Sequence, residues 1–127
     1  MPEFEDQRRR IVELARGWIG TPYHHQASLK GTGCDCLGLV RGIYRDLYGH
    51  DVGAIANYSR DWAEASGVET MLQGAARHLI AIDRAQIAAG AGSVFRLRPA
   101  TVAKHAAVLA SQANMIQAME GGPVSEV

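Results

Sequence analysis

Residues 34–40 read CDCLGLV, and this stretch decides the fold. A glycine-rich loop (GTG, residues 31–33) precedes it, and an amphipathic run follows it. The pattern places the thiol of Cys36 where a loop becomes a helix. The unpaired N–H groups and the partial positive charge of a helix start favour an anion there. We therefore expect the pKa of the Cys36 thiol to lie below that of a free cysteine.

The composition is that of a soluble globular chain. Its 127 residues are enough to bury a core, and we predict one domain over residues 1–127. The 13 basic residues balance the 13 acidic ones, so charge does not indicate a nucleic-acid or membrane partner. Residues 1–6 lack the basic and apolar regions of a signal peptide. Synthesis in the cytoplasm, with both cysteines reduced, is the expectation.

Helical periodicity dominates the first part of the chain. A first helix is predicted over residues 5–19, and a second over residues 36–48 with Gly49 as its end. Residues 24–33 between them are predicted to form a loop. Residues 60–79 also have a helical pattern. The second helix has one predicted core face, made of Leu37, Val40, Tyr44 and Leu47.

Short strand patterns follow a predicted loop over residues 83–92. We predict strands over residues 93–97, 104–109 and 114–118, separated by turn residues. Helices first and an antiparallel meander last indicate an α+β domain.

The strand region supplies His105 and Gln117, which are twelve positions apart. Two neighbouring strands joined by a tight turn would bring these side chains to the same face of the sheet. A glutamine oxygen can accept a hydrogen bond from one imidazole nitrogen and hold the other toward a thiol. Taken singly, each residue also fits an ordinary role: Cys36 as a buried thiol, His105 as a surface histidine and Gln117 as a structural amide.

Four segments in this order resemble the NlpC-type cell-wall peptidases, which are papain-like cysteine hydrolases of bacterial peptidoglycan. They are residues 20–23 (GTPY), 35–40 (DCLGLV), 104–109 (KHAAVL) and 115–118 (MIQA). The chain is most similar to the phage-tail and gene-transfer-agent branch, in which Leu follows the cysteine, as Leu37 does here. The resemblance implies a papain-like α+β fold with N-terminal helices packed on a C-terminal antiparallel sheet.

The resemblance also implies roles for individual residues. Cys36 corresponds to the nucleophile, His105 to the base and Gln117 to the orienting third residue. Tyr23 matches a family tyrosine that binds the substrate or its developing oxyanion. Asp35, just before the nucleophile, is expected to cap the helix or to contact a substrate amine.

The implied reaction is amide hydrolysis in peptidoglycan stem peptides. The family's usual target is the bond between D-γ-glutamate and the following diamino acid, and the reaction needs no metal or cofactor. The expected partners are the stem peptide and phage-like tail proteins, with no nucleic acid and no membrane. The expected site of action is the cell wall, as part of a phage-like particle.

A structural module of a phage-like tail that has lost catalysis is the first alternative. Gln117 stands where the family often has His. The chain also stops at residues 121–127, where relatives of this branch continue into another strand. This ending predicts a sheet that lacks the last strand of the family.

A zinc-binding module is the second alternative. One residue between the two thiols is fewer than the usual spacing of zinc ligands, and no second thiol pair is present. The candidate ligands are His24, His25, Cys34, Cys36 and His50.

Overall fold

The computed structural model of the chain describes residues 2–50, 88–95 and 105–127. Within these ranges lie two helices, α1 (Pro2–Arg16) and α2 (Cys36–Tyr48), and six strands. The strands are β1 (Ser28–Leu29), β2 (Gly33–Cys34), β3 (Gly92–Phe95), β4 (His105–Leu109), β5 (Met115–Gln117) and β6 (Ser125–Glu126). This order of helices and antiparallel strands confirms the predicted α+β class. The helix predicted over residues 60–79 lies outside the described residues, as do residues 83–87 of the predicted loop over residues 83–92.

Helix α2 begins and ends where its sequence predicts. Asp35 is the N-cap, and its Oδ1 accepts a hydrogen bond of 2.7 Å from the Gly38 N–H. Gly49 is the C-cap, with a left-handed φ of 80°, and its N–H donates to the Arg45 carbonyl. A side chain is disfavoured in that conformation, whereas glycine adopts it freely. Both boundaries of α2 are therefore encoded locally.

The buried face of α2 differs from the predicted one. The predicted residues Leu37, Val40, Tyr44 and Leu47 are only half-buried, and the buried residues are Gly38, Leu39, Gly42 and Ile43. Two glycines let other groups approach the helix closely. A Cβ on Gly42 would collide with the Trp18 ring, and a Cβ on Gly38 with the Ala27 carbonyl. The prediction was wrong because it counted apolar side chains and ignored close packing at glycine.

Helix α1 ends at Arg16, three residues before the predicted end, and a turn over residues 17–20 follows it. Val12 and Ala15 on its inner face are buried. In the turn, Trp18 is fully buried, and its Nε1–H donates to Asp46 of α2 at 3.3 Å. The buried indole ring thus joins the first helix to the second.

The main sheet has the order β3-β4-β5-β6, with every neighbouring pair antiparallel. Strands β4 and β5 lie within the second and third predicted strands, whereas β3 begins at Gly92, one residue before the first predicted strand. Residues His105 to Val108 of the inner strand β4 are all buried, and α2 packs against this strand. Across the described ranges, no helix is both long and apolar enough to span a bilayer.

Two short strand pairings were not predicted. The predicted loop over residues 24–33 contains β1 and leads into β2, with Ser28 opposite Cys34. Strand β6 pairs with β5, with Gln117 opposite Ser125. The strands β1, β2 and β6 have two residues each, too few for an alternating pattern to be visible in the sequence.

The close approach at Gly38 can be tested with Gly38→Ala. The added methyl group would overlap the Ala27 carbonyl oxygen, a backbone atom, so the turn or the helix has to shift. We expect the free energy of unfolding to fall by about 1–3 kcal/mol in chemical denaturation. Gly122→Ala is the control, because nothing lies within 4 Å of its Cβ position. That variant should stay within about 0.5 kcal/mol of wild type. Equal stability of the two variants would contradict the close packing.

Candidate active site

The Cys36 thiol lies where the first turn of α2 meets the start of β4. Cys36 is the first residue of the helix and is half-buried. The backbone N–H of Ala106 on β4 interacts with its sulfur, as do the N–H groups of Cys36 and Leu37. Ala106 directly follows His105 in the strand. The contact therefore holds the thiol beside the residue predicted to act as its base.

Burial, more than any other influence, sets the ionisation of this thiol. It raises the pKa of Cys36, and the negative charge of Asp35 raises it further. The hydrogen bonds from Ala106, Leu37 and Cys36 itself favour the thiolate and lower the pKa, without reversing the shift. The expectation of a lowered pKa was therefore wrong, because it considered the helix start and not desolvation. A thiol of raised pKa needs a base to take its proton.

His105 and Gln117 meet on the sheet as their spacing predicts. Val108 pairs with Ile116 in the β4–β5 register, and continuing that register makes His105 and Gln117 diagonal neighbours on one face. His105 Nε2 lies 2.9 Å from Gln117 Oε1. The imidazole is nearly enclosed, with 6% of His105 exposed.

This hydrogen bond determines which imidazole nitrogen can act as a base. The Gln117 Oε1 atom only accepts hydrogen bonds, so His105 Nε2 carries the proton and donates it. In the neutral ring, the lone pair is then on Nδ1. The histidine is thus held in the tautomer that can take a proton at Nδ1.

Asp35 caps the helix and also ties a neighbouring turn to it. Its Oδ1 accepts from the Gly38 N–H, and its Oδ2 accepts from the Gln26 N–H at 2.8 Å. His25 Nδ1 lies 3.8 Å from the same Oδ2. Asp35 is 2% exposed, so its carboxylate is committed to contacts within the protein. Of its two expected roles, the structure shows the capping one.

Tyr23 forms a parallel β-bridge with Cys34, which lies two positions before Cys36 in the sequence. It is half-buried and packs against the hydrophobic core. The Cys34 N–H donates to the Pro22 carbonyl, and the His24 N–H donates to the Cys34 carbonyl. The segment carrying Tyr23 is thus fixed alongside the loop that leads to Cys36.

Cys34 has none of the properties of a nucleophile. It is 0% exposed, and burial together with the charge of Asp35 raises its pKa to about 11. Both cysteines are free thiols. Among the residues that the structure describes, no group of three or more His, Cys, Asp or Glu side chains is arranged to hold a metal ion.

Comparison with known proteins shows the fold. No protein-family profile matches the sequence, and no curated protein sequence does either. Among solved structures, the NlpC/p60 domain of peptidoglycan hydrolase SagA matches with a TM-score of 0.67 and 23% identity. The match covers 94% of this chain and 87% of that one. The chain has the NlpC/p60 fold.

A second structure supports the same fold. It is a protein from Staphylococcus aureus subsp. aureus Mu50, described as similar to lipoprotein of the NLP/P60 family, with a TM-score of 0.62 and 20% identity. The match covers 96% of this chain but only 36% of that one. The chain therefore corresponds to about a third of that protein. These matches confirm the fold that the sequence resemblance implied.

Two features of the site were not visible in the sequence. One is the Ala106 N–H, because a backbone donor has no sequence signal. The other is the turn over residues 24–27, which Asp35 ties to the start of α2. Glycine usually marks such a turn, and this turn has none.

The difference between the two thiols predicts selective alkylation. In the folded chain, iodoacetamide should modify Cys36 at least about 10-fold faster than Cys34, as measured by peptide mass spectrometry. Cys34 is inaccessible, and a pKa of about 11 keeps it protonated at neutral pH. Unfolding in denaturant should make the two rates similar. Equal rates in the folded chain would contradict the described placement of the thiols.

Proposed function

We propose that the chain is a cysteine-type peptidase that hydrolyses amide bonds in peptidoglycan stem peptides. Cys36 is the nucleophile, His105 the base and Gln117 the residue that orients the imidazole. The observation that carries the proposal is the 2.9 Å contact between His105 Nε2 and Gln117 Oε1. The Cys36 thiol interacts with the N–H of Ala106, the residue that follows His105. The NlpC/p60 fold supports the substrate class, since one protein that shares it is a peptidoglycan hydrolase.

Acylation begins with proton transfer from the Cys36 thiol to His105 Nδ1. The sulfur then attacks the carbonyl carbon of the amide, and the carbonyl oxygen takes the negative charge. Backbone N–H groups at the start of α2 are the natural donors to this oxyanion. When the C–N bond breaks, the imidazolium returns its proton to the departing amine. Cys36 is left as a thioester.

In deacylation the same histidine acts as the base for a water molecule. His105 Nδ1 takes a proton from water, and the hydroxide attacks the thioester carbonyl. The C–S bond breaks, the sulfur regains a proton, and a carboxylic acid is released. Throughout the cycle Gln117 stays neutral. Its oxygen stabilises the imidazolium by accepting the Nε2–H, so it does not need to ionise.

The finer specificity follows the family that the sequence resembles. We propose cleavage between D-γ-glutamate and the following diamino acid, and action at the cell wall as part of a phage-like tail. In this proposal Tyr23 contacts the substrate or its oxyanion. Asp35 holds the substrate-facing turn and the helix together, and a substrate amine is its second proposed contact.

Digestion of purified peptidoglycan tests the reaction. The chain should release defined muropeptide fragments, identified by mass spectrometry as products of D-γ-glutamyl–diamino acid cleavage. Cys36→Ala should reduce the rate by at least about 1000-fold, since it removes the attacking atom. Cys34→Ala is the matched control and should retain the activity of wild type within a few-fold. Absence of cleavage by the folded wild-type chain would contradict the proposal and favour the tail-assembly alternative.

The orienting role of Gln117 is tested by Gln117→Met, which keeps the side-chain volume and removes the acceptor oxygen. Because the His105 tautomer is no longer fixed, kcat/KM for stem peptides should fall by roughly 10- to 100-fold. The melting temperature should change little, since Gln117 is only half-buried. Unchanged kcat/KM in a folded variant would show that the imidazole does not depend on this contact.

A further inference from the structure

The side chain of Arg45 joins the second half of α2 to β1. Arg45 lies about two and a half helical turns after Cys36. Its Nη2 donates to the Ser28 carbonyl at 2.7 Å and to the Ser28 Oγ at 3.2 Å. Arg45 and Ser28 are both half-buried. A cationic group is therefore held against the strand that precedes the nucleophile's loop.

Ser28 connects this cation to the first turn of α2. Its hydroxyl lies 2.6 Å from the Gly38 carbonyl oxygen, which only accepts hydrogen bonds, so the hydroxyl donates to it. The single hydroxyl proton is thereby committed to Gly38, and Ser28 Oγ accepts from Arg45. The contacts therefore have one direction, from the guanidinium through the hydroxyl to the peptide group between Gly38 and Leu39.

Two peptide groups continue this series to the nucleophile. The Leu39 N–H, in the same peptide group as the Gly38 carbonyl, donates to the Asp35 carbonyl at 2.9 Å. That carbonyl shares its peptide group with the Cys36 N–H, which interacts with the Cys36 sulfur. Hydrogen bonds in such a series polarise one another, and a charged donor forms a stronger bond than a neutral one. The contacts from Arg45 to Cys36 thus form one connected series, the Arg45 network.

A structural role does not account for the charge in the Arg45 network. The Ser28 hydroxyl alone joins β1 to the first turn of α2, and a half-buried cation has a desolvation cost. The charge has a chemical use instead. Negative charge develops on the Cys36 sulfur during the reaction, and the neighbouring carboxylate of Asp35 opposes it. A positive charge directed at the Cys36 N–H would offset that effect.

We propose that Arg45 is a positioning residue, which acts through Ser28 and the first turn of α2 to polarise the Cys36 N–H. The polarised N–H stabilises the thiolate before attack and, as one of the donors at the start of α2, the oxyanion afterwards. For the oxyanion this inference rests on the function proposed above. The effect on the thiolate needs no substrate, so it can be measured separately.

The pH dependence of Cys36 alkylation measures the effect on the sulfur. In the Cys34→Ala background, Arg45→Met removes the charge and Ser28→Ala removes the hydroxyl that connects it to the helix. Each change should raise the midpoint of the iodoacetamide pH–rate profile by roughly 0.3–1 pH unit, because the thiolate is less stabilised. Circular dichroism and the melting temperature verify that each variant is folded.

Combined variants separate the network from an effect of charge through space. If the charge acts through the Ser28 hydroxyl, Ser28→Ala together with Arg45→Met should shift the midpoint no more than Arg45→Met alone. Ser28→Thr keeps a hydroxyl and should restore the wild-type midpoint. Asp35, whose charge acts on the thiol, and His105, which adjoins Ala106 on β4, are unchanged in every variant.

Turnover of a stem peptide measures the effect on the oxyanion. With both cysteines present, kcat should fall about 3- to 10-fold in Arg45→Met and in Ser28→Ala, because the oxyanion exists only after attack. KM should stay within about 2-fold of wild type.

Ser111→Ala is the matched control. It removes a hydroxyl that accepts hydrogen bonds from the N–H groups of Ala113 and Asn114, in the turn that joins β4 to β5. This serine is outside the Arg45 network, so its loss tests what a missing hydroxyl does to stability alone. Its kcat and alkylation midpoint should be those of wild type even where its melting temperature falls.

The outcomes are distinct. Unchanged midpoints in folded Ser28→Ala and Arg45→Met variants would overturn the network. A shift in Arg45→Met that Ser28→Ala lacks would overturn it too, because the charge would then act directly through space. An equal shift in Ser111→Ala would overturn it as a general effect of lost stability. If Arg45→Met does not fold, Ser28→Ala decides, and a wild-type midpoint in that variant overturns the network.

Failure of the proposed function is recognised separately. A folded wild-type chain that cleaves no stem peptide contradicts the peptidase, whereas the alkylation profiles still show whether Arg45 and Ser28 act on the thiolate.

Discussion

The interaction of the Ala106 N–H with the Cys36 thiol is the contact on which the site depends. It joins the first residue of α2 to the second residue of β4, two segments that are seventy positions apart in the sequence. The packing of α2 on the central strand makes this meeting possible. Gly38 in the first turn of this helix lets the Ala27 carbonyl pack closely against it.

Burial at this junction sets the chemistry. It raises the pKa of the Cys36 thiol, and the neighbouring carboxylate of Asp35 adds to the effect. The same carboxylate caps the helix and accepts a hydrogen bond from the adjoining turn. The thiol therefore needs a base, and the Gln117 contact keeps the proton of the neutral His105 ring on Nε2, so that the lone pair is on Nδ1. The raised pKa of the buried thiol and the fixed tautomer of His105 therefore belong together, because the first creates the need for a base and the second supplies its lone pair.

Local signals predicted much of the fold. The cap at Asp35 and the glycine at Gly49 define α2, and the twelve-residue separation of His105 and Gln117 predicts their meeting. What the sequence did not reveal depends on contacts between distant segments. The features that the sequence did not reveal are the glycine-lined face of α2, the two-residue strand pairings and the positive φ of Gln26. Desolvation of Cys36 belongs with them, because burial is a property of the packed chain.

The dependence of Cys36 on His105 tests the account most directly. The chain has two cysteines, so Cys34→Ala leaves Cys36 as the only thiol. In that background, the rate of alkylation of Cys36 at neutral pH is compared between His105 and His105→Gln, with circular dichroism to verify the fold. We expect a rate at least about 100-fold lower without the imidazole. An unchanged rate in a folded variant would show that the two side chains do not share a proton, and would contradict the account.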